Sequence, residues 1–337
     1  MQKIRWGVIG VARIATTKVI PAMQNGELTE VVAISSRDRA KAESAAESLN
    51  IPKAYGSYDE MLADPEIDAV YNPLPNHLHV PLSIRAAEAG KHVLCEKPIG
   101  LNAGEAIQLI AARDRTRVVI GEAFMVQCHP QWIRTVELVR SGYLGTMRFA
   151  MGSFGYNNAK PENVRNVRAW GGGGLMDIGC YPIKVSRMVF GEEPVRVAGT
   201  LVRDPTFDTD ILTSAILEYP SAHCIFACST QVVLHQSMQF FGTTGRLELE
   251  VPFNAATNGV SRFRLDDGRD VFGSGVTVEE FAPCDQYTLQ GDLFSRAIRQ
   301  GGQPPVPLED SLRNMAVIDA LFHAAETGRW EQPARYP

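Results

Sequence analysis

Three short stretches of this 337-residue chain carry residue types and spacings that could do chemistry. One is Glu96-Lys97-Pro98, at the end of an apolar run. Adjacent opposite charges at a strand end, followed by a proline that stops a helix from continuing, are unusual for a purely structural segment. A lysine placed there can hydrogen-bond a reacting hydroxyl, although a lone lysine before a loop is by default a surface charge. A second is Gly7-Val8-Ile9-Gly10-Val11-Ala12-Arg13-Ile14-Ala15. A strict G-x-G-x-x-G beginning at Gly10 wants glycine at positions 12 and 15, and both are alanine here. Gly10 still permits the tight turn, and Ala15 is small enough for close helix–strand packing. Ala12 adds a methyl where backbone should approach a pyrophosphate, which implies a slightly displaced phosphate. The expected dinucleotide contacts are Ile9, Gly10, Ala12, Arg13 and Ile14, with amides at a helix N-terminus facing the phosphates. The alternative is an ordinary glycine-containing turn. A third stretch is Ser35-Ser36-Arg37, where a site selective for NAD places an acid for the ribose hydroxyls. The Ser36 hydroxyl and the Arg37 guanidinium instead fit a 2′-phosphate and favour NADP, with Asp38 next in the chain and a surface arginine as the alternative.

The elements that must hold these residues follow from the hydrophobic pattern. Ile4–Ile9, 30–35, Ala69–Asn72, 92–96 and 117–121 are apolar without strict alternation, as expected of parallel strands covered on both faces. Amphipathic segments lie between them, with capping signals at Ser57 before Glu60 and Asn102 before Glu105. The alternation predicts a doubly wound, Rossmann-type parallel sheet over 1–122. Ligands of such sheets bind at the carboxyl ends of the strands. That brings Pro73, Leu74, Asn76 and His77, after one strand, and Glu96 and Lys97, after the next, to the cofactor. From 123 to 337 the pattern changes to longer runs with turns between them, the signature of an antiparallel sheet. A helix is predicted over 129–140, and two more over Gln286–Gln300 and Leu308–Thr327.

In order and spacing these stretches resemble the glucose–fructose oxidoreductase / inositol dehydrogenase / rhizopine-catabolism family, over nearly the whole chain. The resemblance rests on Gly7-Val8-Ile9-Gly10 with Ile14-Ala15, Pro73-Leu74-Pro75-Asn76-His77-Leu78-His79, Glu96-Lys97-Pro98 and the run Gly172-Gly173-Gly174-Leu175-Met176-Asp177-Ile178-Gly179-Cys180-Tyr181. The turn 242–245 with Arg246-Leu247-Glu248-Leu249 also looks like the family's second domain. Tyr181, where many members carry histidine, and Pro161-Glu162-Asn163-Val164-Arg165 are similar to the branch with glucose–fructose oxidoreductase, NADP-dependent xylose dehydrogenase and dimeric dihydrodiol dehydrogenase. The resemblance implies a Rossmann domain plus an α/β domain whose large open-faced sheet forms a homodimer or homotetramer. It also implies Lys97 and Tyr181 as the proton-transfer pair. A phenol with a pKa of about 10 is a weak base at neutral pH, and a nearby lysine cation favours the phenolate. Asp177, four residues before Tyr181, shares its face if the segment is helical and could orient a sugar hydroxyl or Lys97. Arg165, Arg168 and Trp170 precede the glycine run, and at least one of them is expected at the cofactor or substrate, with Arg168 equally a surface group. Gln127 stands where the branch usually has arginine, after Glu122-Ala123-Phe124-Met125. His77 and His129 are the remaining polar candidates, each more often a structural histidine.

Composition excludes other classes. Thirty-three basic against 38 acidic residues leave a formal charge of −5, so phosphate backbones of nucleic acids find no basic surplus. No apolar stretch approaches the roughly 20 residues that cross a bilayer, and Arg13 breaks the apolar N-terminal run too early for a signal peptide. Six cysteines in so long a chain read as buried thiols of a cytoplasmic protein, including the close pair Cys224 and Cys228. No cluster has metal-ligand spacing. The expected activity is NADP(H)-dependent oxidation of the anomeric hydroxyl of an aldose to a lactone, with a second sugar as an optional hydride acceptor. The alternatives are a trans-dihydrodiol dehydrogenase, oxidation at another sugar carbon, or a non-catalytic dinucleotide sensor.

Overall fold

A computed structural model describes residues 2–336, and the chain divides into two units. These are Met1–Cys128 with Asp285–Leu312, and His129–Cys284 with Arg313–Pro337. In the first unit, the runs without alternation become strands buried along nearly their whole length, as a sheet covered on both faces requires. They are β1 (Ile4–Ile9), β2 (Thr29–Ser35), β4 (Ala69–Asn72), β5 (His92–Cys95) and β6 (Ile120–Glu122), joined by a short half-buried strand, β3 (Lys53–Tyr55). All pair in parallel in the order β3-β2-β1-β4-β5-β6, so the strand order reverses between β1 and β4. That reversal opens a crevice outside the carboxyl ends of the two central strands.

One local expectation is corrected. The predicted strand 117–121 begins only at Ile120, because Arg117 closes the preceding helix Ala103–Thr116. Arg117 does so with a left-handed backbone, φ 63°, and an amide bond to the Arg113 carbonyl at 2.7 Å. β3, three residues long, gave no run to detect. Both capping signals form: Ser57 Oγ accepts from the Glu60 amide and Asn102 Oδ1 from the Glu105 amide. The first unit also takes in Asp285–Leu312, which lies outside the 1–122 bounds expected from the sequence. The helix Gln286–Gln300 packs on it: Trp6, fully buried, donates its indole N–H to Ser295 Oγ at 3.1 Å and meets the Phe294 ring at 5.6 Å.

The second unit carries an eight-stranded sheet. Its strands are β7 (Met147–Asn157), β8 (Arg196–Arg203), β9 (Asp210–Glu218), β10 (His223–Ser229), β11 (Gln231–Gly242), β12 (Arg246–Leu249), β13 (Ser261–Asp266) and β14 (Val276–Phe281). The order is β14-β13-β12-β11-β7-β10-β9-β8, antiparallel throughout except where β10 runs with β7. Burial alternates along β9 and β10, so one face packs and the other stays open. The open face shows Met151, Leu212, Ile216 and Ile225 and a depression of about 770 Å³ bordered by His235 and Trp330. Helix Pro130–Arg140 begins one residue later than predicted, with His129 as its cap. Among the described residues no helix is long and apolar enough to cross a membrane.

If Gln286–Gln300 is part of the first unit's core, Trp6→Ala and Phe294→Ala should not act independently. Each is expected to cost about 3–5 kcal/mol. Denaturant unfolding of the double variant should return a coupling of about 0.5–1.5 kcal/mol.

Candidate active site

At the end of β1 the chain turns at Gly10, whose amide still reaches the Ser35 carbonyl at 2.8 Å. Its φ of +89° suits glycine, and a Cβ there would meet Leu74 Cδ2 at 2.7 Å. Ile9 and Ala15 are buried, Ala12 and Ile14 half-buried, and Arg13 exposed. The Thr16 amide to the Ala12 carbonyl is the first bond of the helix, which leaves the earlier amides at its open N-terminus. A π-helical turn, Ala15–Val19, follows directly.

Beyond β2, Ser36 Oγ accepts from the Asp38 amide at 3.1 Å. Asp38 Oδ1 accepts from the amides of Ala40 and Lys41 and so caps the helix Arg39–Ser48. Asp38 is therefore engaged at a helix end rather than offered to a ribose. Arg37 is exposed on the rim of a depression of about 440 Å³ lined by Ser57, Tyr58, Leu82 and Arg85. Arg85 bonds Asp59.

The segments after β4 and β5 are tied together by buried side chains. Asn72 Oδ1 accepts from the Leu74 amide at 3.3 Å, while its Nδ2 donates to the His79 carbonyl and Ser83 Oγ at 3.1 Å each. The His79 ring lies between the Leu74 carbonyl (2.6 Å) and the Pro98 carbonyl (2.7 Å), joining the Pro73–His77 segment to the turn after Lys97. Pro73 is buried, and Leu74, Asn76 and His77 are half-buried. Glu96, expected at the cofactor, turns its carboxylate to the Tyr71 hydroxyl (2.7 Å) and the Lys97 amide (3.2 Å). Burial pushes the Tyr71 hydroxyl well up, so it stays protonated and donates. Lys97 is half-buried and precedes Pro98 through a cis peptide.

In the second unit the glycine run opens a continuous helix, first the π-helical turn Leu175–Gly179 and then Cys180–Phe190. Asp177 and Tyr181 thus stand about one turn apart on one helix. Asp177 Oδ2 accepts from the Tyr156 hydroxyl at 2.6 Å and from Arg165 Nε at 2.8 Å. Arg165, expected at the cofactor, is placed on Asp177, and burial with the Asp177 charge raises the Tyr156 hydroxyl far above its usual range. Tyr181 is 5% exposed, its ring against Phe154 and Phe253 at 5.7 and 5.3 Å. Trp170 is 40% exposed in the turn Arg168–Trp170, where Arg168 bonds Asp208 at the surface. Tyr156 escaped the sequence reading because its strand was not recognised. So did Asp210, whose Oδ2 accepts from the Leu175 amide at 2.6 Å; it stands at the very start of β9, where no local motif marks it. Gln127 donates to the Pro305 carbonyl.

His129 is a structural group: buried, with Nδ1 accepting from the Gln131 amide at 3.2 Å and Nε2 against Cys284 Sγ at 3.4 Å. An accepting Nδ1 requires a neutral ring, and burial lowers its pKa to about 4. Cys224 and Cys228 are buried free thiols, Cys224 pushed up to about 12 by burial.

A doubly wound sheet with a glycine turn at its switch point, and a second unit presenting a carboxylate and a phenol on one helix, define a two-unit dinucleotide-binding oxidoreductase. The chain belongs to the Gfo/Idh/MocA oxidoreductase family: the family's NAD-binding Rossmann fold matches residues 4–124 and its C-terminal domain 132–248. It is 48% identical to an uncharacterized oxidoreductase of Rhizobium meliloti, over 98% of this chain and 99% of that protein. It is 38% identical to a D-xylose 1-dehydrogenase (NADP(+)) of Haloferax volcanii, over 96% of this chain and 98% of that one. The crystal structure of an aldose-aldose oxidoreductase from Caulobacter crescentus superposes with a TM-score of 0.90 at 28% identity, covering 98% of this chain and all of that one.

The depressed His129 pKa fixes a sign for acid stability. The neutral ring stabilises the fold fully above about pH 6.5, and the contribution is lost as pH falls toward 4. His129→Asn keeps a helix-capping oxygen but has nothing to titrate. Its unfolding free energy is therefore expected to fall less than the wild-type value between pH 7 and pH 5.

Proposed function

We propose that the protein is an NADP(H)-dependent aldose dehydrogenase that oxidises the anomeric hydroxyl of a sugar such as D-xylose or D-glucose to the lactone. The observation that carries the reading is Asp177, held by Tyr156 and Arg165 one turn ahead of Tyr181, in a chain so similar along its length to a D-xylose 1-dehydrogenase. The cofactor fits the residues present. Gly10, at φ +89° and pressed against Leu74, makes the tight turn, and the amides near Ala12, Arg13 and Ile14 open the following helix toward a pyrophosphate. With Asp38 engaged as a cap, Ser36 and Arg37 meet a 2′-phosphate without a competing carboxylate. Pro73, Leu74, Asn76 and His77 border the nicotinamide half in this reading.

When bound, the nicotinamide supplies the hydride acceptor. The chain's own task is the proton: an alcohol carbon gives up hydride only as its hydroxyl proton leaves. Tyr181 accepts that proton, Lys97 lowers its affinity for it, and Asp177 orients a neighbouring sugar hydroxyl. Glu96 and His79 hold the Lys97 turn in place. The aldose-aldose oxidoreductase of Caulobacter crescentus lends support to a second sugar as hydride acceptor. The apolar open face of the eight-stranded sheet supports assembly into a homodimer or homotetramer, and the free thiols suit a cytoplasmic setting.

The test is the near-ultraviolet absorbance of reduced nicotinamide after adding D-xylose, with and without NADP⁺. A signal that rises with NADP⁺ is expected; one that stops at one equivalent per subunit means a retained cofactor and a second sugar as acceptor. Lys97→Met and Tyr181→Phe should abolish most turnover, and near-wild-type rates in both overturn the reading. Arg37→Ala should raise KM for NADP⁺ about 10- to 100-fold, the worth of a charge-assisted contact, and leave that for NAD⁺ unchanged.

A further inference from the structure

Asp210 is 1% exposed at the start of β9, and among the described residues no lysine, arginine or histidine forms an ion pair with it. A carboxylate buried without a cation is costly. Its compensation lies at one place. Oδ2 accepts from the Leu175 amide at 2.6 Å and from Thr213 Oγ1 at 3.0 Å, at the positive N-terminal end of the helix that carries Asp177 and Tyr181. Oδ1 lies 1.9 Å from where a Cβ on Gly173 would stand, so only glycine fits, and its φ of +123° asks for glycine independently. Gly173 passes the constraint on: its carbonyl accepts from the Asp177 amide at 3.1 Å, and its amide donates to the Arg165 carbonyl at 2.9 Å. Arg165 Nε in turn bonds the Asp177 carboxylate, which closes the circuit.

We propose that Asp210 is a positioning residue of the reaction, gripping the Gly173–Leu175 turn so that Asp177 and Tyr181 stand where the chemistry needs them. This rests on the aldose dehydrogenase reading of that helix. The ionisable groups facing Asp210 are Arg203 from β8 and the Cys228 thiol from β10. Burial outweighs its hydrogen bonds and raises its pKa to about 6. A raised carboxyl pKa means that the fold favours the protonated form. Falling pH through 6 therefore adds stability at this site while it exchanges a charged cap for a neutral one.

Asp210→Asn fixes the neutral state with the same shape. At pH 8 its kcat for D-xylose is expected to fall about 10- to 100-fold, as for a small misplacement of catalytic groups. NADP⁺ affinity should be unchanged and Tm equal to or above wild type. The wild-type to variant ratio of kcat should shrink toward one as pH falls through about 6. Gly173→Ala, which pushes the carboxylate away by contact, should lose kcat likewise. Hydrogen exchange over 173–178 should quicken in Asp210→Asn, a readout independent of turnover. If Tyr181→Phe keeps its activity, the functional reading fails, and the exchange result alone decides whether Asp210 holds the turn. If Tyr181→Phe is inactive, wild-type kcat in Asp210→Asn, or a kcat ratio independent of pH with a lowered Tm, overturns the positioning role.

Discussion

Where a parallel strand ends, the chain leaves the ladder while still buried, and its amides and carbonyls must find new partners. Most of the first unit's site answers that constraint. The Gly10 amide takes the Ser35 carbonyl, the Leu74 amide takes Asn72, and the Leu74 and Pro98 carbonyls both turn to His79. Glu96 receives the Lys97 amide. Asn72, His79 and Glu96 therefore wire the strand ends together, and the segments they fix are the ones that carry Lys97, Asn76 and His77. A motif that reads as a list of cofactor contacts is, in large part, the scaffolding that lets backbone stop being sheet.

The second unit meets the same constraint at a helix start. Four glycines in succession cannot hold themselves in one conformation. They do so here because Gly172 and Gly173 press backbone against Arg165 and Asp210 too closely for any side chain. The π-helical turn that follows widens the helix where Asp177 faces Tyr156 and Arg165. Such turns are frequent at functional sites, and this chain has a second one just after the Gly10 turn.

The fold class was legible because hydrophobic periodicity distinguishes a strand covered on both faces from one covered on a single face. The helices Gln286–Gln300 and Leu308–Thr327 could be bounded because Gly301 and the prolines at 304 and 305 punctuate them. Placing Gln286–Gln300 on the first unit was beyond the pattern, since its bond from Trp6 to Ser295 spans 289 residues. At the site, Lys97, Asp177 and Tyr181 could be singled out because they lie in contiguous motifs. Tyr156 and Asp210 could not, since each acts across strands on a helix distant in sequence, and nothing local to either marks it. Asp38 shows the reverse case: beside Arg37 it suggested competition for a ribose, and its use as a helix cap is set by the two amides that follow it.

The two units also differ in what they ask of charge. In the first, the groups suited to phosphate are exposed or half-buried, Arg13 and Arg37 in water and the helix amides beside them, so binding an anion there need not strip a buried cation of its solvent. In the second, the carboxylates are enclosed: Asp177 is 13% exposed and Asp210 almost wholly buried. Enclosed carboxylates hold their geometry because no water can replace the donors that satisfy them, and they exact stability for it. That asymmetry suits a two-unit oxidoreductase. Phosphate recognition tolerates a flexible arginine, whereas proton transfer slows about a hundredfold when donor and acceptor are displaced by even an ångström from their productive geometry.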